Sequence, residues 1–206
     1  MIEWLFFDIG NTLYDETWSD YDRVVSFIKT NDLNIDPSDF LAQMRLGASV
    51  YSPSPFAYAR EHFGIKENYP YSSEKEVLFE GVADVLEYLS EHYKLGILAN
   101  QPSSTSERLK RDGIYHYFDI CLLSETEKLF KPDPAFFEYA IQKANCSPDR
   151  IVMVGDRLDN DIMPAKAAGM KTVRIKQGLN SVQEPKSNEY RPDMEILSVQ
   201  QLCTLF

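Results

Sequence analysis

Cysteine is scarce. The 206-residue chain has three, Cys121, Cys146 and Cys203, far apart and without the close spacing of a thiolate metal site. An odd, sparse set excludes a disulfide framework and predicts reduced thiols, packed as small buried hydrophobes in a cytoplasmic protein. Positive charge is also short: 21 Lys and Arg face 32 Asp and Glu, a formal net charge of −11. Such a surface repels a phosphate backbone, which argues against nucleic acid as a partner. No apolar run approaches the roughly 20 residues that span a bilayer, so no membrane partner is expected. Residues 1–8 are too short and too acidic for a secretory signal. The three histidines, His62, His92 and His116, are scattered and read as surface or core residues. Internal repeats and low-complexity segments are absent. Nothing in the chain chooses between a monomer and a homodimer.

Ordinary globular composition remains, 44% hydrophobic and 26% charged. The length suits one domain with a modest insertion. Residues 2–7 form a nearly continuous apolar run that ends at Asp8, which reads as a buried strand with a carboxylate at its C-terminal end. Gly10, Asn11 and Thr12 follow as turn chemistry. From residue 16 to 79 the character changes. Val24, Val25 and Ile28 mark a helix face, Pro37 opens a second helix, and residues 51–63 are rich in aromatics without strand alternation. This stretch is expected to be an all-helical insertion.

Beyond Gly81 helices and strands alternate. Val82, Val85, Leu86 and Leu89 have helical spacing. Residues 95–99, 120–123, 151–154 and 171–175 read as strands, separated by helices over 103–110, 134–144 and 161–168. Residues 177–192 read as a loop and 198–202 as a short closing helix. The pattern predicts an α/β fold with a Rossmann-like, doubly wound parallel sheet, made from residues 1–15 and 80–206, with an all-helical cap over 16–79. Ligands of such sheets lie beyond the carboxyl ends of the strands. Asp8, Asn100 and Asp156 all fall there, so one crevice can hold them.

The most specific feature is Val154-Gly155-Asp156-Arg157-Leu158-Asp159-Asn160-Asp161, three carboxylates within six residues at a strand-to-helix turn. Like charges held together must be solvated, protonated or bound to a cation. A hard divalent ion such as Mg²⁺ takes oxygen ligands of this kind.

With Asp8 at the end of another strand, the set resembles the haloacid dehalogenase (HAD) superfamily. The first motif of that family, Asp-x-Asp-Gly-Thr after a strand, is matched by Asp8-Ile9-Gly10-Asn11-Thr12. The second, an apolar strand ending in Ser or Thr and often Asn, is matched by Leu95-Gly96-Ile97-Leu98-Ala99-Asn100. The third is Lys131-Pro132-Asp133-Pro134. The fourth is Gly155-Asp156 with Asp161, and Ala167-Ala168-Gly169-Met170 completes it. The helical stretch between the first two motifs resembles a C1-type cap.

The resemblance implies a hydrolase, most simply a Mg²⁺-dependent phosphatase of a small phosphorylated molecule. Asp8 would be the nucleophile and form an aspartyl phosphate, splitting one hard displacement into two easier ones. Asp8, the Gly10 carbonyl, Asp156 and Asp161 would hold the metal. Lys131 would pair with Asp8 and the phosphate. Asn11, Thr12, Ala99 and Asn100 would bind or orient the phosphate, and the cap would set specificity.

Two departures from the family pattern matter for the chemistry. Gly10 stands where phosphatases carry their general acid/base aspartate, a loss that typically costs roughly 10²- to 10⁴-fold in rate. Ala99 stands where Ser or Thr offers a hydroxyl. Three readings follow. One is a phosphatase with altered acid/base chemistry, for which Asp15 or Glu16 could move in with the cap hinge. The second is a dehalogenase- or phosphonatase-type hydrolase. Dehalogenases need no metal, and a phosphonatase needs a cap lysine, for which Lys29, Lys66 and Lys75 are available. The third is a weakly catalytic member that binds a phosphometabolite or a protein partner.

Overall fold

Residues 1–206 are described by a computed structural model. Strand β1, Trp4–Phe7, is buried along its whole length. A strand sends successive side chains to opposite faces. Leu5 and Phe7 accordingly join one apolar cluster of 23 buried residues, and Trp4 and Phe6 another of 12. The remaining strands are β2 (Tyr14–Asp15), β3 (Val77–Leu78), β4 (Lys94–Ala99), β5 (Ile120–Leu123), β6 (Ile151–Gly155), β7 (Lys171–Ile175) and β8 (Met194–Ile196). Six of them form one sheet in the order β5-β4-β1-β6-β7-β8, with every pairing parallel. Both faces are covered, as the near-continuous apolar strands require.

Nine helices accompany the strands: α1 (Thr17–Thr30), α2 (Pro37–Ser49), α3 (Pro55–His62), α4 (Val82–Ser90), α5 (Thr105–Arg111), α6 (Ser124–Glu127), α7 (Pro134–Ala144), α8 (Met163–Ala167) and α9 (Leu202–Leu205). Three of them open with proline just after a capping residue. The side chains of Asp36, Ser54 and Asp133 accept from the backbone N–H of Ser38, Ala57 and Ala135. Helices α4, α5 and α9 give Val82, Val85, Leu86, Leu89, Leu109 and Leu202 to the larger cluster. Helices α7 and α8 give Phe136, Phe137, Ala140 and Ala165 to the smaller one.

The chain leaves β1, runs to β4 and β5 on one side, and returns to β6, β7 and β8 on the other. The order reverses at β1, so the loops after β1, β4 and β6 converge on one crevice. Antiparallel β2 and β3 form a short hairpin at the mouth of this crevice, and α1, α2 and α3 lie between its two strands. The three helices close on their own aromatic centre. The Phe27 and Phe56 rings are 5.2 Å apart, as are those of Phe40 and Phe56. Phe56 is therefore core, and Phe63 packs against it, whereas Trp18 and Tyr21 stay exposed. Contacts tie these helices to the rest of the chain. Tyr51 donates from its hydroxyl to the Glu184 carbonyl at 2.7 Å, and buried Arg108 on α5 pairs with Glu76 beside β3. No helix is long and apolar enough to cross a membrane.

The structure departs from the sequence reading in four places. The β2–β3 hairpin has two residues per strand, too short for any periodicity to register. Strand β8 lies at the sheet edge with only Ile196 buried. Residues 177–192 contain two 3₁₀ turns, Leu179–Val182 and Asn188–Tyr190. The three cysteines are free but only half-buried, each at the margin of a core cluster rather than inside it.

Phe6 is fully buried on the central strand, stacked 5.4 Å from Trp4 and pressed against Gly96 of β4. Truncation there leaves a cavity that two paired strands cannot collapse. Phe6→Ala should lower the unfolding free energy by about 3–5 kcal/mol, read from the urea midpoint at unchanged slope.

Candidate active site

Asp8 follows β1 directly, and its backbone N–H donates to the Val154 carbonyl of β6 at 2.9 Å. This bond ties the first motif to the fourth. Beyond Gly155 the chain turns through Asp156 into a π-helical turn, Leu158–Ile162, which brings Asp161 back under the strand end. Gly155 permits that return. A β-carbon there would come within 2.5 Å of the Asp161 carboxyl carbon. Carboxylate oxygens of Asp8, Asp156 and Asp161 all lie within 4.8 Å of one another.

Lys131 is the counter-charge. Its ammonium group is buried and donates to Asp8 Oδ1 at 2.8 Å and to Asp161 Oδ1 at 2.5 Å. Burial alone would lower its pKa, but Asp161 and Asp8 outweigh burial and raise it. Asn100 secures the lysine. Its amide donates to the Lys131 carbonyl at 2.7 Å, and its side-chain oxygen accepts from the Lys131 N–H at 2.8 Å. Both halves of the Asn100 side chain are thus committed to backbone, so it positions Lys131 and leaves only its main chain for a ligand. Ala99 is fully buried at the end of β4. Thr12 is buried, and its hydroxyl has no hydrogen-bond partner.

One lysine does not neutralise three carboxylates. Burial, then Asp161 and Asp8, hold Asp156 well above the usual carboxylate range, against the hydrogen bond from Asn180. Asp161 is pushed up to about 6, chiefly by burial and against the pull of Lys131. Three crowded oxygen donors with unbalanced negative charge fit a hard divalent cation. Asp8 and Asp156 are the direct donors available, since both oxygens of Asp161 are engaged, one by Lys131 and one by the Arg157 N–H at 3.0 Å.

The polar stretch after β7, and β7 itself, hold the acidic turn in place. Asn180 donates to Asp156 Oδ2 at 2.9 Å. Gln183 accepts from the Leu158 N–H at 2.8 Å. Arg174 of β7 is fully buried and donates to the carbonyls of Asp156 and Asn180. The sequence reading missed all three. Arg174 alone carried a signal, as a charged residue between the apolar Val173 and Ile175.

Around Gly10 the first motif is rearranged. Asn11 adopts a left-handed backbone, φ +50°, where the family pattern has glycine, and Asn tolerates this better than most residues. Its amide donates to Glu16 Oε2 at 2.7 Å. Burial, then the charges of Asp20, Glu76, Asp156 and Asp8, keep Glu16 well above its ordinary pKa. Asp15 instead accepts from the Thr17 N–H at 2.9 Å, beginning α1. A cleft of about 510 Å³ opens between these residues and the helices, lined by Asn11, Trp18, Tyr21, Arg45 and Leu179 among others. A smaller space of about 200 Å³ meets Asn11, Glu16, Arg157 and Asn180. Lys29, Lys66 and Lys75 are all exposed, and Lys75 is paired with Asp22.

The parallel sheet carries an aspartate, a lysine and an acidic turn at its switch point. The profile of the haloacid dehalogenase-like hydrolase family matches residues 2–169, and the chain belongs to that family. A glyceraldehyde 3-phosphate phosphatase of Methanothermobacter thermautotrophicus is 26% identical, over 96% of either chain. Another of that name from Methanopyrus kandleri is 43% identical over 90 residues, which is 44% of this chain and 39% of the relative. The chain thus spans about two fifths of one relative and nearly all of the other. The crystal structure of an HAD phosphatase from Thermococcus onnurineus superposes with a TM-score of 0.68 at 24% identity, over 99% of this chain and 97% of that one.

The raised carboxyls set a pH dependence for the metal-free protein. Asp161 and Asp20, both raised to about 6 from an ordinary 3.8, bind protons in the folded state that the unfolded chain has already released. Their contribution is complete below the unfolded value and is lost as pH rises through the folded one. The melting temperature in EDTA should fall between pH about 4.5 and about 7, and Asp156→Asn should flatten the slope. A profile that rises across this range would contradict the crowding.

Proposed function

We propose that the chain is a metal-dependent phosphatase of a small phosphorylated metabolite, working through an aspartyl phosphate on Asp8. The observation that carries this reading is the placement of Asp8. One oxygen is bound to Lys131, the carboxylate group is within 4.8 Å of Asp156 and Asp161, and Asn11 of the same loop lines the cleft of about 510 Å³. Fold alone does not choose among chemistries. The acidic cluster supports a phosphatase over a dehalogenase, which needs no metal, and the exposed Lys29, Lys66 and Lys75 lend no support to a phosphonatase. The phosphatase names of the two relatives point the same way.

In this reading Lys131 draws the phosphate against Asp8 and offsets its charge. Thr12, whose hydroxyl lacks a partner, and the backbone of Ala99, Asn100 and Asn11 receive the remaining phosphate oxygens. Asp8, Asp156, the Gly10 carbonyl and, less directly, Asp161 would hold Mg²⁺. When bound, the ion neutralises the carboxylates and stabilises charge on the transferring phosphoryl group. Helices α1, α2 and α3 form the cap, residues 16–79, over a core of residues 1–15 and 80–206. Trp18 and Tyr21 are its aromatics on the cleft, available to pack on a substrate. The protein partners with no nucleic acid or membrane and works in the cytoplasm.

Purified protein should hydrolyse p-nitrophenyl phosphate and acetyl phosphate with Mg²⁺ and lose turnover in EDTA. Asp8→Asn should abolish turnover, at least about 10³-fold, while leaving the fold intact. Activity that survives Asp8→Asn would end the nucleophile assignment. Inactivity of the unaltered chain on both compounds would favour a binding role.

A further inference from the structure

The gap at Gly10 is filled. A β-carbon built on Gly10 runs directly into the carboxyl group of Glu16, closer than van der Waals contact allows. The Glu16 carboxyl thus occupies the space into which the side chain of an aspartate at position 10 would have to grow. Glu16 precedes α1 but makes no capping bond to that helix. Its side chain is turned the other way and held by the Asn11 amide. Glu16 lines the same small cavity as Asn11, Arg157 and Asn180. Three residues work together: glycine at 10 makes room, asparagine at 11 supplies the turn and the holding amide, and glutamate at 16 brings the carboxyl.

We infer that Glu16 is the general acid/base of this enzyme, relocated from the first loop to the cap hinge. The inference rests on the phosphatase reading and adds to it. As Asp8 attacks phosphorus, the bond from phosphorus to the leaving oxygen breaks. That oxygen keeps the electron pair and takes the Glu16 proton, which yields an alcohol and the Glu16 carboxylate. In the second half, Glu16 removes a proton from water as its oxygen attacks the aspartyl phosphate. The bond from phosphorus to Asp8 breaks, inorganic phosphate leaves, and Asp8 is restored as carboxylate and Glu16 as acid. The sum is ester plus water to alcohol plus phosphate. Glu16 directly follows β2, where the chain enters α1.

The test is Glu16→Gln with p-nitrophenyl phosphate in a quenched-flow burst experiment. This leaving group needs no proton, whereas hydrolysis of the aspartyl phosphate needs a base. The variant should release about one equivalent of nitrophenolate per site, within about tenfold of the unaltered rate, and then stall, its steady state reduced by about 10²- to 10⁴-fold. The phosphorylated enzyme should accumulate. Gly10→Asp added to Glu16→Ala should recover steady-state turnover, while Gly10→Asp alone should lower it, because the new side chain collides with Glu16. Equal loss of burst and steady state would overturn the inference, as would an unaffected steady state, or a defect cured by more Mg²⁺, since each assigns Glu16 a structural or metal-binding role. Absence of turnover in the unaltered protein would instead defeat the phosphatase reading, and the inference with it.

Discussion

Everything at the carboxyl edge of the sheet depends on how three carboxylates share one space. Asp8, Asp156 and Asp161 repel one another, and two of the three are buried. Lys131 is the fixed part of the answer. Its ammonium has no exposed surface and spans Asp8 and Asp161. Asn100 clamps the lysine backbone by two hydrogen bonds, so its position is set by β4 as well as by its own loop. The remainder of the charge is left unbalanced, with Asp156 raised most plainly. A site that keeps such imbalance after burial is prepared for a cation, because the ion recovers electrostatic energy that folding gave up.

The sheet supplies the precision. Parallel pairing of β1 with β4 and β6 fixes the ends of three strands within one crevice, and the reversal of strand order at β1 keeps a helix from covering it. A second layer then locks the acidic turn. Arg174 from β7, and Asn180 and Gln183 from a stretch that looks like a plain loop in the sequence, hold Asp156, Leu158 and Asp159 through side-chain bonds. The loop after β7 serves the site as support, and through Tyr51 and the Glu184 carbonyl it also meets the cap helices.

Much of this was legible beforehand. The strands that carry Asp8, Asn100 and Asp156 announce themselves as apolar runs that stop at a polar residue, because a strand buried on both faces has no room for polar side chains. The acidic motif was legible because carboxylates that close in sequence need a reason. The hinge hairpin was not legible, since two residues make no period. Nor was Arg174, whose partners are 18 and 6 residues away along the chain. For Asn100 the sequence suggested a phosphate contact through side chain or backbone, and the structure engages the side chain with the Lys131 backbone, leaving the main chain for that contact.

The sequence by itself determined the α/β alternation, the helical insertion and the identity of the four acidic and basic residues at the centre. These follow from local patterns of polarity, which are written residue by residue. Only the tertiary structure decided what stands in for the missing side chain at Gly10. In the sequence Glu16 and Asp15 are equal candidates, one residue apart. Folding separates them: Asp15 turns to the start of α1, and Glu16 turns into the space that glycine leaves. The reason is steric. A vacancy is a property of volume, and volume exists only once β1, the hinge and α1 are brought together.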